Sequence, residues 1–267
     1  MLAVITGASR GIGESYARQL AARGYGLHVV ARDADRLATL AAGLRAAHHV
    51  PIDEIVLDLA LPDSAERLYA EVRGRRSAPV DLLVNNAGFG LYGEFTDTPT
   101  PRLQELVYLQ VVTTMKLMRL FLPEMRERGR GAIINVASVA GLLPVPYMAL
   151  YAATKAFMVS LGLSVEQEAR PYGVFVQTCC PGQTLTDFHG TAGISRPYAS
   201  GGQQTADEVV AESLAAMDRR RPMLITGYRN RLYMHLQQFA PRQLVLWATA
   251  RRMKSHTGTG RASSNRS

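Results

Sequence analysis

Leu2-Ala-Val-Ile-Thr-Gly-Ala-Ser-Arg-Gly-Ile-Gly13 is the stretch of sequence that decides the fold. The β-branched run Leu2–Thr6 predicts a short strand, and a helical pattern follows three glycines spaced Gly-x-x-x-Gly-x-Gly. Glycine permits positive φ and a close approach of the backbone to a phosphate, and a helix N-terminus offers unpaired N–H groups. Strand, turn and helix therefore predict a phosphate cradle. The alternative is a glycine-rich turn that binds no ligand.

Predicted strands and helices alternate along the rest of the chain, as is typical of a parallel α/β sheet. Strands are predicted over residues 2–6, 26–31, 54–57, 82–85, 132–137, 174–179 and 223–226. Helices are predicted over residues 11–23, 33–47, 64–73, 101–127, 151–170 and 207–218. We find no internal repeat and no long linker, so a single domain over residues 1–230 is expected.

A tyrosine and a lysine four residues apart, Tyr151 and Lys155, share one face of a predicted helix. An ammonium beside a phenol favours the phenolate, so we expect the pKa of Tyr151 to lie below the free value of roughly 10. Such a tyrosine can donate and accept protons near neutral pH. Ser138 ends an apolar run that predicts a buried strand, at the tip where open α/β sheets bind ligands. Tyr-x-x-x-Lys alone is a weak motif, and its alternative is a surface pair.

Five motifs in order resemble the compact short-chain dehydrogenase/reductase family over residues 1–188. They are Thr6-Gly7-x-x-x-Gly11-x-Gly13, Asn85-Asn86-Ala87-Gly88, Ser138, Tyr151-x-x-x-Lys155 and Pro181-Gly182. The resemblance implies a single-domain, Rossmann-type, doubly wound parallel sheet of about seven strands. It also implies a nicotinamide dinucleotide cofactor and interconversion of carbonyls and alcohols. In that reaction Tyr151 would donate the proton, Ser138 would orient the oxygen, and Lys155 would stabilise the tyrosinate and bind the nicotinamide ribose.

The same resemblance implies which positions bind the cofactor. They are Thr6, Gly7, Ser9, Arg10, Gly11, Ile12, Gly13, Arg32, Asp58, Asn85, Ala87, Gly88, Tyr151, Lys155, Pro181, Gly182, Thr184 and Thr186. Asp58 matches the position that bonds the adenine, and Asn85 to Gly88 matches the segment that lines the adenosine ribose. Thr184 and Thr186 match the loop that holds the nicotinamide carboxamide, although threonines in such a loop are also common without a ligand.

The residues after the second predicted strand favour NADP over NAD. Members of the family that bind NAD carry a carboxylate where this chain has Ala31, and the next residue is Arg32. A guanidinium can hold a 2′-phosphate with two parallel hydrogen bonds, and Arg10 could supply a second cation. The alternative is that Arg32 is an ordinary solvated arginine beside Asp33 and Asp35.

One position departs from the family. The asparagine that kinks the long fourth helix and holds a water for proton relay aligns with Gln110. Glutamine carries the same amide on a longer arm and could still anchor a water, in a shifted position. The alternatives are a slower enzyme or a relay built differently. The departure also leaves slight room for a catalytically weak sensor or scaffold that keeps the cofactor site.

Three loops, over residues 89–95, 142–148 and 185–203, are predicted to line the substrate pocket. The first two contribute an apolar set: Phe89, Leu91, Tyr92, Leu142, Leu143, Val145 and Met148. This composition favours an apolar ketone, aldehyde or alcohol, although most pockets are apolar whatever they bind. His189 and Arg196 could meet an anionic group or be solvated. The six histidines show no metal-ligand spacing, so no metal is expected.

Composition agrees with one soluble domain in a reducing compartment. The chain has 267 residues, 47% of them apolar. We find no apolar stretch of the ~20 residues that a membrane span needs, and no secretory signal. Cys179 and Cys180 are neighbours on a predicted strand and point to opposite faces, which makes them poor disulfide partners. We therefore predict a cytoplasmic protein.

Basic residues are concentrated at the C-terminal end. After Asp218 the chain has eleven arginines or lysines and no acidic residue. Residues 231–254 form a basic amphipathic segment that is predicted to be helical and could lie on an anionic membrane surface. Packing on the chain's own fold or on a neighbouring subunit is the favoured alternative. Residues 255–267 are predicted to be disordered. No nucleic acid is expected as a partner, and the family resemblance implies a homodimer or homotetramer.

Overall fold

Seven parallel strands form one sheet. The computed structural model describes residues 1–75, 78–186 and 203–254, and its elements are numbered here over those residues. The strands of the sheet are β1 Leu2–Thr6, β2 Gly26–Ala31, β3 Ile52–Val56, β4 Leu82–Asn85, β5 Gly131–Val136, β6 Val174–Cys180 and β9 Met223–Ile225. Two short strands, β7 Thr184–Leu185 and β8 Gln204–Thr205, pair separately. The predicted single-domain, doubly wound parallel sheet is confirmed.

Helices connect the strands and cover both faces of the sheet. They are α1 Gly11–Ala22, α2 Ala34–His48, α3 Ser64–Arg75, α4 Thr100–Val107, α5 Thr114–Glu127, α6 Ala149–Ala169, α7 Ala206–Asp218, α8 Tyr228–Leu236 and α9 Arg242–Lys254. The helix predicted over residues 101–127 is divided, because a π-helical turn over Tyr108–Thr113 separates α4 from α5. Such turns are frequent at functional sites.

Alternating side chains on each strand enter two different hydrophobic layers. On β1, Ile5 packs in the layer that contains α1, α2 and α7 residues, whereas Val4 packs in the layer that contains α3 and α5 residues. Cys179 lies in the first layer and Cys180 in a cluster with Met158 of α6. Both thiols are buried and free, so the prediction that they do not pair is confirmed.

Thr100–Glu127 is long and apolar enough to cross a membrane, judged by length and hydropathy alone. This corrects the expectation that no stretch approaches that composition. Leu117, Phe121 and Met125 of this segment are nevertheless buried in the layer beneath the sheet. The core of the domain thus accounts for part of its apolar residues.

From one edge of the sheet to the other, the strands lie in the order β3-β2-β1-β4-β5-β6-β9. The order therefore reverses between β1 and β4: β2 and β3 lie beyond β1, and β5, β6 and β9 lie beyond β4. At such a reversal the connecting segments lead away in opposite directions and leave a crevice at the carboxyl ends of the strands. The segments that follow the strands of the sheet therefore meet at one edge, where every predicted motif lies.

Candidate active site

A cleft of about 1040 Å³ lies at the carboxyl edge of the sheet. Its walls are the segments that follow β1 to β6, together with residues of α8 and α9. Most of the predicted site residues line it: Gly7, Ser9, Arg10, Gly11, Ile12, Arg32, Asp58, Ala87, Gly88, Ser138, Tyr151, Lys155, Pro181, Gly182, Thr184 and Thr186. Residues far apart in the sequence thus share one cavity.

Three predicted cofactor residues do not line the cleft. The Thr6 hydroxyl donates to the Val84 carbonyl oxygen at 3.1 Å and accepts hydrogen bonds from the backbone N–H groups after β4. Asn85 is buried and its amide donates to Asn135 Oδ1 at 2.9 Å. Gly13 packs under the turn. These three residues join the strand tips and support the cleft from beneath.

The glycine turn after β1 is shaped to approach a ligand closely. Gly7 and Gly11 have φ of +68° and +57°, and a Cβ at Gly13 would lie 2.1 Å from the Gly7 carbonyl oxygen. Arg10 occupies the N-cap of α1 without a capping side-chain hydrogen bond, which leaves backbone N–H groups of the first turn open. Asn86 donates to the carbonyl oxygens of the turn at 3.0 and 3.2 Å. The turn therefore fits a pyrophosphate group.

Arg32 faces the cleft in an exposed position. Its Nη1 lies 3.6 Å from Asp58 Oδ2 and 3.5 Å from Glu105 Oε1. The alternative, an ordinary solvated arginine beside Asp33 and Asp35, is compatible with this side chain's exposure of 61%. Asp33 itself accepts from the Arg36 N–H at 3.1 Å and caps α2. Exposed ion pairs of this kind contribute at most ~1 kcal/mol, so the guanidinium remains able to bind an anion.

Ser138, Tyr151 and Lys155 meet at the inner end of the cleft. Ser138 follows β5 and caps a short 3₁₀ turn, Val139–Leu142, accepting from the Ala140 N–H at 3.1 Å. Tyr151 and Lys155 lie on one face of α6, and the Lys155 Nζ is 5.7 Å from the centre of the Tyr151 ring. The ammonium donates to the Val136 carbonyl oxygen at 2.8 Å. Both side chains are buried.

Burial controls the pKa of both groups. It raises the pKa of Tyr151 to about 12, although a hydrogen bond with Ser138 acts in the opposite direction. The expected lowering of this pKa is therefore wrong, since desolvation of the phenolate is the largest effect and outweighs the hydrogen bond with Ser138. Burial also lowers the pKa of Lys155 to about 8. Both shifts favour the neutral form.

Two residues that position this group were not predicted to do so. A Cβ at Gly141 would lie 2.6 Å from the backbone carbon of Lys155, so only glycine lets the turn after Ser138 approach α6 this closely. Gln110 is fully buried in the π-helical turn. Its amide donates to the Phe89 carbonyl oxygen at 2.7 Å, and its oxygen accepts from the Thr154 hydroxyl at 2.7 Å. Both ends of the amide thus contact protein groups.

The opposite wall of the inner cleft is apolar. Four residues of the predicted loops 89–95 and 142–148 line this wall: Phe89, Leu143, Val145 and Met148. Leu109 and Met253, which lie outside those loops, also line it. Leu91, Tyr92 and Leu142 pack behind this wall in hydrophobic clusters. His189 and Arg196 of the third loop lie outside the described residues. Among the residues that the structure describes, no three potential ligands group around a metal position.

The C-terminal helices form a wall that sequence reasoning missed. Four residues of α8 and three of α9 line the cleft: Arg229, Asn230, Tyr233, Met234, Ala248, Thr249 and Met253. A Cβ at Gly182 would lie 2.1 Å from Asn230 Nδ2, so α8 rests directly on the Pro-Gly turn after β6. No motif marks these positions, and only the amphipathic pattern indicated that the segment has a buried side.

A family model described as short chain dehydrogenase matches residues 1–195. The chain belongs to this family. A solved short-chain dehydrogenase from Sphingobium yanoikuyae in complex with NADPH is 32% identical, with a TM-score of 0.79 and 98% of each chain covered. A short-chain dehydrogenase/reductase from Burkholderia phymatum in complex with NAD is 26% identical, with a TM-score of 0.79 and 89% and 92% of the two chains covered.

A curated relative extends the comparison to a named activity. The very-long-chain 3-oxoacyl-CoA reductase of Rattus norvegicus is 34% identical to this short-chain dehydrogenase over 183 residues. The match covers 67% of the present chain but only 58% of that relative. The match therefore leaves a large part of that relative, and about a third of the present chain, unmatched.

Proposed function

We propose that this short-chain dehydrogenase is an NADP(H)-dependent oxidoreductase that interconverts an apolar carbonyl compound and its alcohol. The observation that carries the proposal is the convergence of Ser138 with the buried side chains of Tyr151 and Lys155 inside a cleft that begins at the glycine turn. A sensor or scaffold would need the cofactor cradle alone. Because the proton-transferring group is also intact, an enzyme is the better explanation.

Residues of the cleft are placed to bind the pyrophosphate, the 2′-phosphate and the carboxamide of the cofactor. The turn at Gly7 and Gly11 and the open end of α1 would hold the pyrophosphate, and Arg32 the 2′-phosphate. Thr184 and Thr186 would hold the carboxamide at the other end. When bound, the nicotinamide cofactor supplies or accepts the hydride at the substrate carbon.

The protein's own residues handle the proton. In the direction of reduction the Tyr151 hydroxyl donates its proton to the substrate oxygen, while the Ser138 hydroxyl donates a hydrogen bond to the same oxygen. Lys155 then stabilises the tyrosinate that remains, which matters because burial alone disfavours that anion. Oxidation of the alcohol uses the same groups in reverse.

NADP is preferred in this proposal because the nearest carboxylate after β2, Asp33, caps α2, and the position at which NAD-binding members of the family carry a carboxylate has none. Ala31 occupies that position, and the Arg32 guanidinium faces the cleft. The NADPH-bound relative supports this choice, while the NAD-bound one makes a direct test necessary. An apolar substrate is proposed because the inner wall is apolar and the curated relative is named for a reaction on a long-chain oxoacyl compound.

Replacing Tyr151 tests the chemistry. Tyr151→Phe removes the proton donor, so kcat for reduction of an apolar ketone with NADPH should fall by at least about a hundredfold. The Kd for NADPH, measured by fluorescence titration, should stay within about twofold because the phenol is not the main cofactor ligand. Tyr172→Phe is the matched control, since Tyr172 is exposed and lies outside the cleft. Undiminished turnover by Tyr151→Phe would refute the assignment.

Reversing the charge of Arg32 tests the cofactor preference. Wild-type protein should bind NADPH more tightly than NADH, and Arg32→Asp should weaken NADPH binding by roughly tenfold or more. Arg36→Asp makes the same change of charge nearby, outside the cleft, and should leave the ratio of the two Kd values largely unchanged. Tighter NADH binding by the wild type would keep the enzyme and overturn the NADP preference.

A further inference from the structure

The outer faces of α8 and α9 expose large apolar side chains. On α8 Tyr228, Leu232 and Leu236 recur every four residues and therefore lie on one face. Phe239 on the following 3₁₀ turn is 78% exposed, and on α9 Leu244 and Trp247 are 55% and 59% exposed. These six residues are called the C-terminal apolar surface below.

The inner faces of the same helices are already used. Asn230 and Met234 of α8 and Thr249 and Met253 of α9 line the cleft, and Met253 is buried against the cluster that contains Tyr151. The C-terminal apolar surface is therefore the face that the domain leaves uncovered. Large apolar side chains exposed on three successive elements favour an interaction site there.

The charged side chains of α9 all have a positive charge. On α9 Leu244, Trp247, Arg251 and Lys254 follow the spacing of one helix face, so cations adjoin the apolar side chains. Arg251 lies with its guanidinium carbon 5.5 Å from the centre of the Trp247 ring. The sequence contains no acidic residue after Asp218. The sequence therefore gives this segment a net positive charge.

We propose that the C-terminal apolar surface binds an anionic lipid bilayer at its interface. Apolar side chains flanked by arginine and lysine have the chemistry of an interfacial helix, and tryptophan prefers the headgroup region. A second copy of the chain fits less well, because a twofold interface through this face would place Arg242, Arg251 and Lys254 near the same cations of the partner. The proposal is independent of the chemistry in the cleft.

Trp247 is the only tryptophan of the chain and reports directly on this surface. With vesicles of phosphatidylcholine containing about 30% phosphatidylglycerol, its emission should shift to the blue and the full-length protein should co-sediment. Binding to phosphatidylcholine alone should be roughly tenfold weaker, and about 0.5 M salt should remove most of the difference. No shift and no co-sedimentation with the anionic vesicles would overturn the proposal.

Matched variants locate the binding surface. Leu236→Ser with Leu244→Ser should weaken vesicle binding by roughly tenfold, whereas Leu61→Ser, which changes an exposed leucine elsewhere, should not. Arg242→Gln with Lys254→Gln should remove the preference for anionic vesicles, whereas Arg130→Gln should keep it. Circular dichroism verifies that each variant folds. If the paired leucine variant does not fold, the paired charge variant still tests the location of the binding surface.

Two outcomes would assign the surface differently. Undiminished vesicle binding by both paired variants would overturn the proposed location. A blue shift that depends on protein concentration without lipid, together with a dimer in sedimentation velocity, would make a second copy the occupant and overturn the membrane proposal.

Discussion

Tyr151 and Lys155 illustrate how burial and spacing act on the same two side chains in opposite ways. Spacing on α6 brings the ammonium to 5.7 Å from the ring centre, which favours a phenolate. Burial penalises both charged forms and prevails, so the phenol is neutral near pH 7 and the lysine titrates near pH 8. The spacing was readable from the sequence, but the depth of burial was not, because it depends on side chains from other elements.

The pKa of Lys155 predicts an alkaline limit for reduction. Because burial lowers this pKa to about 8, the stabilising positive charge is present below that pH and is lost as the pH rises through it. The log of kcat/KM for ketone reduction, measured from about pH 6 to 10, should therefore fall above about pH 8.

Lys155→Arg provides the matched control for this profile. A guanidinium keeps its charge across that range, so the alkaline limb should move to higher pH even if overall activity is lower. An alkaline limb at the same pH in both proteins would show that another group is responsible.

Gln110 marks the limit of sequence reasoning at the residue scale. Alignment placed an amide at this position, and the structure places it in the cleft wall. Its hydrogen bonds with Phe89 and Thr154 could not be predicted, since they join α6 and the segment after β4 across a large separation in sequence. The amide therefore connects the apolar wall to the helix that carries Tyr151.

At the scale of elements, the strand–turn–helix unit at the N-terminus was predictable because its glycines have a geometric cause. The predicted start of α1 and the whole of β1 and β2 agree with the structure. The π-helical turn between α4 and α5 was not predictable, because the periodicity of apolar residues continues through it. The short strands β7 and β8 also carry too little pattern to be recognised.

The steric restriction in the glycine turn can be tested by comparing Gly13 with a glycine whose added Cβ would meet no neighbouring atom. A Cβ at Gly13 would meet the backbone of Gly7, so Gly13→Ala should lower the free energy of unfolding by about 2 kcal/mol or more. NADPH binding should weaken as well, because the turn must shift. Urea unfolding and fluorescence titration measure the two effects.

Gly43→Ala is the control for the same chemical change. Gly43 lies within α2 and its added Cβ would have nothing within 4 Å. The variant should be neutral or more stable by up to about 1 kcal/mol, since alanine favours helices. Equal stability of the two variants would show that the contact under Gly13 is not restrictive.

At the scale of the whole molecule, the segments that follow the strands form one part of the cleft wall, and the C-terminal helices form the rest. The sequence identified the sheet edge through motifs, but α8 and α9 carry none and their contribution to the cleft was missed. Met253 shows the consequence, because it reaches the cluster around Tyr151 from the far end of the chain. Under the proposed function, substrate preference would depend on both the loops of the sheet and the chain's last described helix.

Shortening Met253 should widen the apolar end of the cleft. Met253→Ala is expected to raise kcat/KM for ketones with bulky substituents, relative to small ones, by roughly tenfold. Met115→Ala is the control, because Met115 is partly exposed on α5 and lies outside the cleft. An unchanged ratio of kcat/KM values in Met253→Ala would exclude Met253 from the substrate pocket.

The adjacent thiols of β6 give the molecule a separate reporter for each side of its sheet. Cys179 is enclosed by the layer of α1, α2 and α7, and Cys180 by the cluster that includes α6. A thiol reagent reaches either sulfur only when the covering layer opens, so its labelling rate measures that local opening. Comparison of single-cysteine forms would therefore reveal which side of the molecule loosens first, without adding any foreign probe.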